Sequence, residues 1–317
     1  MIIPKFHANG KLLLTSEYYV LEGAKALALP TYLGQNLIIE KNTRPNDKNV
    51  ILHWKSYDIN KKIWLEAQFY MLDFSLAPNF EYKKSSQKAI MRLQEILRQA
   101  RLQNPFFLRE KNNINVSTHI EFPLNWGLGS SSTLLCNIAS WAKIDAFELL
   151  RKTMGGSGYD IACGQSEKAI LYWLDNGVPN VESIDFVPKF ANQLYFVHLG
   201  RKQNSREGIK HFYAQKHEHK KYVITKLNNI LTQIIQSTSF SNFEMLLKEH
   251  ENIIAQNLNL TKAKDLHFSD FWGTIKSLGA WGGDFVLATS DKSEAATRNY
   301  FQKKGFDTFL RYNDLVK

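Results

Sequence analysis

Cysteine is almost absent from this chain. Cys136 and Cys163 are the only two among 317 residues. Neither belongs to a CxxC pair, so sulfur cannot build a zinc site, and plain packing accounts for both. No apolar run approaches the roughly 18 residues of a membrane-spanning helix. The opening MIIPKFHANGK meets lysine and histidine too early to form a signal-peptide core, so a cytoplasmic location is expected. There is no repeat of about 20 to 50 residues, no low-complexity tract and no GK[ST] ending of a Walker loop. With 44% hydrophobic and 22% charged residues, the composition excludes wholesale disorder, collagen and coiled coil. A chain this long buries roughly three quarters of its extended surface and is comfortable as two domains.

Charge is unbalanced. Lys and Arg number 40 against 30 Asp and Glu, a formal +10. Such a balance suits nucleic acid, an anionic membrane or small acidic substrates, and does not choose among them. The run HFYAQKHEHKK at 211–221 carries no RNP-type or zinc-finger signature and reads as a solvated basic helix or loop. Small anionic substrates are therefore expected, with no nucleic-acid or membrane partner. Monomer and homodimer both stay open.

Hydrophobic patterning gives strand candidates at 11–14, 35–41, 50–55 and 62–70. The polar turn SYDIN makes the last two an antiparallel pair. Residues 86–103 place Ile90, Leu93, Ile96 and Leu97 on one helical face. An alternating strand follows at 114–122, then a Gly/Ser loop and an apolar helix at 133–146. The second half reads as a strand at 192–199, a basic stretch at 200–221, helices at 223–236 and 240–258, and strands at 285–289 and 308–312. Strands and helices interleave without regular βαβ units, so the expected fold class is α+β, in two domains divided near residue 185.

The most informative segment is PLNWGLGSSST, 123–133. Gly127 and Gly129 let the backbone bend or approach a ligand. Ser130, Ser131 and Ser132 open a helix, where N–H groups and the dipole favour an anion. Three further segments stand out: ANGKLLLTSEYYVLEG at 8–23, GGSGYDIA at 155–162 and KSLGAWGGDF at 276–285. Together the four resemble the motifs of the GHMP kinases, small-molecule kinases of galactose, homoserine, mevalonate and phosphomevalonate. The order and spacing match over essentially the whole chain. Pro123, Gly127, Leu128, Gly129, Ser130 and Ser131 fall on positions of the family's PxxxGLGSSAA motif.

The resemblance implies a GHMP fold: residues 1–185 form an ATP-binding domain like the second domain of ribosomal protein S5, and residues 186–317 a ferredoxin-like domain. It implies ATP and Mg²⁺ as cofactors. Residues 127–132 would cradle the phosphates, and Ser131 would offer its hydroxyl to the metal. Glu148 is a second metal candidate, with a solvated helical glutamate as its bland alternative. Asp160, after Ser157 and Gly158, takes the catalytic-base position, and Lys11 matches the lysine of PGK. Glu17 and Tyr18 are expected to orient Lys11 or touch substrate, a structural salt bridge being equally open for Glu17. Gly282, Gly283 and Asp284 are expected to close over substrate.

The acceptor expected is mevalonate 5-phosphate. The glycine turn ends GGD, as in phosphomevalonate kinases, and Arg201, Lys202, Ser205 and Arg206 make a compact anion segment. Mevalonate, another small alcohol and a non-catalytic family member are the alternatives. Diphosphomevalonate decarboxylase, the other enzyme of similar fold, is disfavoured by Gly127-Leu128-Gly129. Five residues depart from the family: Asn9 for proline, Ser16 for glycine, Ser132 and Thr133 for two alanines, and Trp281, a large ring where the family has glycine.

Overall fold

The computed structural model describes residues 4–41, 50–78, 80–109, 112–201, 205–215, 219–279, 281 and 284–317. The chain forms two compact units, each assembled from separate stretches. One comprises Met1–Gly10, Leu33–Leu124 and Gly129–Gln165; the other comprises Lys11–Tyr32, Asn125–Leu128 and Ser166–Lys317. These units differ from a single division near residue 185. The reason is two long strands, β1 (Lys5–Leu13) and β2 (Ala26–Lys41), which contribute residues to both.

In the first unit β3 (Ile51–Tyr57), β4 (Ile63–Tyr70) and β5 (Ile114–Ile120) join the second half of β2 in the order β4-β3-β5-β2. β3 and β4 pair antiparallel across the SYDIN turn, while β5 runs parallel to β3. On β3, Leu52, Trp54 and Ser56 are buried and the intervening side chains are half-buried, the period-2 pattern of a sheet with one covered face. The cover is four helices: α1 (Gln87–Gln103), α2 (Ser130–Ala142), α3 (Ala146–Thr153) and α4 (Tyr159–Gly164). Ile90, Leu93, Ile96 and Leu97 of α1 share a core with Trp54, Leu135 and Leu149. Full burial of one such side chain contributes roughly 1.5–3 kcal/mol.

The second unit carries a ferredoxin-like sheet. Its strands are β8 (Leu194–His198), β9 (Ile275–Ser277), β10 (Phe285–Thr289) and β11 (Phe309–Arg311), all antiparallel, in the order β11-β8-β10-β9. Helices enter between β8 and β9, namely α5 (Ser205–Ala214), α6 (Lys220–Gln236), α7 (Phe240–Leu258) and α8 (Ala263–His267). α9 (Glu294–Lys303) enters between β10 and β11, and α10 (Tyr312–Leu315) follows. This is the split βαβ order of that fold. The unit also holds β6 (Ile170–Asp175), which pairs the first residues of β2, and β7 (Val178–Ser183), which pairs β6.

Sequence pattern conceals β6, β7, β9 and α5. β7 contains Pro179, a residue confined to edge strands, and β9 has three residues. α5 lies in the basic stretch, where Ile209 and Phe212 alone mark its packed side.

One cation lies on the buried side of α1. The Arg101 guanidinium donates to the carbonyls of Met71, Leu72, Phe107 and Leu108 at 2.6–3.0 Å and covers the Phe74 ring. Burial pushes its pKa down to about 10. Arg101→Met keeps the packed stem and leaves four carbonyls without this donor. It should lower unfolding free energy by about 3 kcal/mol or more in urea titration. A loss below ~1 kcal/mol would mean that other donors replace it.

Candidate active site

The glycine–serine segment forms a turn into a helix. Gly127 and Gly129 have φ of +68° and +93°, the left-handed region where glycine is at ease. Gly129 is the N-cap of α2 and brings no capping side chain. The first helical bond runs from Thr133 N–H to the Gly129 carbonyl at 2.9 Å, so residues 130–132 have N–H groups without an intrahelical acceptor. The serines differ in use. Ser132 donates its hydroxyl to the Gly129 carbonyl at 2.9 Å, whereas Ser131 is exposed. Gln35 on β2 fixes this end of the helix, its side chain accepting from the Thr133 hydroxyl at 2.6 Å and its carbonyl from Asn137 at 2.8 Å.

In the same unit as α2, Gly155, Gly156 and Gly158 all take positive φ and lead into α4. Asp160 lies in the first turn of α4, half-buried, and accepts the Ile161 N–H at 3.1 Å. Burial, helped by the Asp160 charge, keeps the neighbouring Cys136 thiol protonated. Asn9 is 3% exposed, and its carbonyl lies 3.3 Å from where a Cβ on Gly164 would sit. Polar Asn9 is accommodated by a close strand-to-helix approach that glycine permits.

In the other unit, the Lys11 N–H donates to the Leu128 carbonyl at 3.0 Å, tying β1 to the glycine segment. A Cβ on Gly127 would fall 2.2 Å from the Asp284 carboxylate, so glycine at this positive φ lets that side chain lie so close. His198 supports the contact. Its Nε2 bonds the Asn125 carbonyl at 3.1 Å and its Nδ1 accepts the Gly200 N–H at 3.2 Å, a pattern that assigns the neutral Nε2–H tautomer. Burial lowers the His198 pKa, in keeping with that tautomer.

After β1 the chain makes an elbow. Ser16 and Tyr18 both have φ of +61°, and Ser16 stands where the family carries glycine. Glu17, between them, is fully buried. Its carboxylate pairs with the ammonium of Lys276 on β9, itself buried, and Lys276 also lies 3.4 Å from Glu251 on α7. His250, beside Glu251, accepts the Ser16 N–H on Nε2 at 2.9 Å. Burial pushes the Glu17 carboxyl from its ordinary 4.5 up to about 7, with Lys276 opposing. Burial likewise raises Glu251 and, with Lys276, holds His250 well below its usual range.

No family model matches the sequence, and no curated protein is significantly similar to it. Solved structures are similar. The Methanococcus jannaschii mevalonate kinase superposes with a TM-score of 0.70 at 14% identity, over 98% of this chain and 97% of that one. The Streptococcus pneumoniae phosphomevalonate kinase, solved with phosphomevalonate and AMPPNP, gives 0.67 at 16%, over 98% and 100%. The Lactococcus lactis galactokinase, solved with galactose, gives 0.67 at 12%, over 99% and 93%. The chain has the GHMP kinase fold.

Several expected residues have structural partners. Glu17 takes the salt bridge that stood equally open for it, its carboxylate paired with the buried Lys276. Glu148 sits on α3, where Arg151 binds it through Nε at 2.9 Å and through Nη2 to the same oxygen, with Lys152 at 4.0 Å. It is an ion-paired helical glutamate, since a basic residue follows one turn later. Tyr18 is buried and stacks on Phe212, and a Cβ on Gly208 would fall 2.3 Å from its hydroxyl oxygen. Trp281 packs into the apolar cluster of Tyr18, Tyr19, Phe212 and Ile254. Arg201 and Arg206 are exposed. Lys202, Gly282 and Gly283 lie outside the described residues, as does the side chain of Ser205.

Sequence reasoning passed over Lys276, His250, Glu251 and His198. A signal existed for two of them. His250 and Glu251 lie on the stripe of Phe243, Leu246, Leu247, Ile254 and Leu258, the buried face of α7.

Glu17 yields a pH prediction. The folded protein binds its proton more tightly than the unfolded chain, so this contribution is whole below pH 4.5 and lost as pH rises through about 7. Unfolding free energy of the natural protein, relative to Glu17→Gln, should therefore fall steadily between about pH 5 and 8 in urea titrations. A constant difference would contradict the burial of an ionisable Glu17.

Proposed function

We propose that this protein is an ATP- and Mg²⁺-dependent kinase of an isoprenoid precursor, with mevalonate 5-phosphate as the acceptor. The observation that carries the reading is the start of α2. Two left-handed glycines deliver an uncapped 13-residue helix whose first N–H groups have no helical acceptor. Such a terminus suits the phosphates of ATP, because donors and dipole both favour negative charge there. Supporting it are the order of the four motifs and the likeness to kinases solved with phosphomevalonate and AMPPNP.

The donor set fits Mg²⁺ brought in with phosphates rather than held by a protein cage. Among the described residues no three His, Cys, Asp or Glu side chains cluster to hold a metal. Mg²⁺ commonly keeps waters and binds through substrate phosphates with one or two protein oxygens. The exposed Ser131 hydroxyl is one such oxygen. Bound there, the ion would neutralise phosphate charge as the phosphoryl group transfers.

The remaining roles belong to side chains. Asp160 accepts a proton from the acceptor. Lys11 supplies positive charge that stabilises the attacking oxygen. Arg201 and Arg206 are exposed cations suited to the acceptor's phosphate. The Asp284 carboxylate lies against Gly127 of the glycine segment. A second reading, mevalonate as acceptor, draws on the half-buried Asp160, since a hydroxyl needs a base. A phosphate acceptor needs one less, being largely dianionic above a second pKa of about 6.

The test is ADP release with Mg²⁺-ATP and each acceptor in turn. Turnover with mevalonate 5-phosphate and not with mevalonate supports the reading; the reverse selects the second. Asp160→Asn should cost about 10²- to 10⁴-fold with a hydroxyl acceptor, and less with a phosphate acceptor above pH 7. Ser131→Ala should raise the Mg²⁺ requirement with little loss of stability. No turnover with either acceptor, together with no ATP binding, would overturn the kinase reading.

A further inference from the structure

The ion cluster around Lys276 is larger than a single salt bridge and joins distant parts of the chain. The Lys276 ammonium has no exposed surface and three neighbours: the Glu17 carboxylate, the Ser277 carbonyl at 2.8 Å and the Glu251 carboxylate at 3.4 Å. Its three protons are thus accounted for. Glu251 in turn accepts the Ser277 hydroxyl at 2.8 Å and the Ser277 N–H at 3.1 Å. His250 takes the Ser16 N–H on Nε2, which leaves its proton on Nδ1. That Nδ1 faces Glu17 Oε2 at 3.9 Å, and neither atom has a hydrogen-bond partner among the described residues.

Stability is a poor explanation for such a cluster. A buried ion pair replaced by well-packed apolar side chains is often as stable or more so. What the cluster does is hold an elbow. Ser16 and Tyr18 sit at φ +61°, a region that costs a non-glycine residue of order 1–3 kcal/mol and persists when surroundings impose it. His250 grips the elbow from α7 by the Ser16 N–H, Lys276 grips it from β9 by Glu17, and the Ser16 hydroxyl donates to the Lys25 carbonyl at 2.6 Å.

These contacts close a circuit within one unit. Lys276 lies on β9, whose Ser277 pairs Val286 of β10 and whose next residue, Leu278, donates its N–H to the Phe285 carbonyl at 3.2 Å. Asp284 immediately precedes Phe285, and its carboxylate lies against Gly127. The next residue, Leu128, accepts the Lys11 N–H at 3.0 Å. From Lys11 the chain runs six residues along β1 and the elbow back to Glu17.

We propose that Lys276, Glu17 and His250 are positioning residues that lock the Lys11–Tyr18 segment, the 125–128 segment and the β9–β10 pair into one mechanical ring. Its consequence for turnover rests on the kinase reading above; the coupling of the three segments does not. A misplacement of Lys11 on the scale of an ångström would cost about 10²-fold in rate.

The test compares the natural protein with the neutral pair Glu17→Gln/Lys276→Met by hydrogen exchange, urea unfolding and ADP release. The pair should keep global stability and lose amide protection together at 11–18, 125–128 and 275–278, with kcat down about 10²-fold. Loosening confined to 15–18, with 125–128 unchanged, would overturn the ring. So would full kcat in the neutral pair. If the pair does not fold, His250→Leu and His250→Gln replace it. Leucine should loosen all three segments, and glutamine, which keeps an acceptor for the Ser16 N–H, should restore them; identical exchange in the two would contradict the proposal. Joint loosening in a protein without kinase activity would leave the ring standing and remove the kinase reading alone.

Discussion

Lys276 and Glu17 place opposite charges in a space without water, and the N-terminal motif takes its shape from that pairing. Desolvation taxes both groups, so the attraction stabilises little overall and the geometry is the return. Ser16 and Tyr18 both take positive φ on either side of Glu17, whose carboxylate reaches Lys276 on β9. Tyr18 then stacks on Phe212 of α5, and the Trp281 ring fills the same cluster. One electrostatic constraint thus dictates an elbow, an aromatic cluster and the path of β1 toward Leu128.

The groups that the proposed kinase reading assigns to phosphate differ in kind. On α2 the preparation is backbone: uncapped N–H groups, glycines at positive φ and one open serine beside one locked serine. Gln35 holds that helix end from β2, so the donors are fixed by the sheet beneath them. In the other unit the preparation is side-chain chemistry, with Lys11 on a strand and exposed arginines before and within α5.

Local motifs made part of this legible in advance. The helix face of Ile90, Leu93, Ile96 and Leu97, the hairpin across SYDIN and the helix start after Gly129 follow from periodicity and turn chemistry. The ferredoxin-like order β11-β8-β10-β9 does not, because β9 is too short to show a period and α5 is masked by its charges. Site residues divide the same way. The glycine turn at Gly127 and Gly129 and the helix start beside Ser131 are readable because they are set by local backbone. For Glu17 a structural salt bridge stood open, but its partner Lys276 lies 259 residues away, and no local pattern names a partner at that range. For Glu148 the helical alternative is the one its partner Arg151, one turn along, agrees with.

The central claim is transfer of a phosphoryl group from ATP to a small acceptor. It is tested most directly by ³¹P NMR of the protein with Mg²⁺-ATP and mevalonate 5-phosphate. The account predicts ADP together with a new diphosphate signal pair that forms on the acceptor. Inorganic phosphate with ADP and no new diphosphate, or an unchanged spectrum, would contradict it.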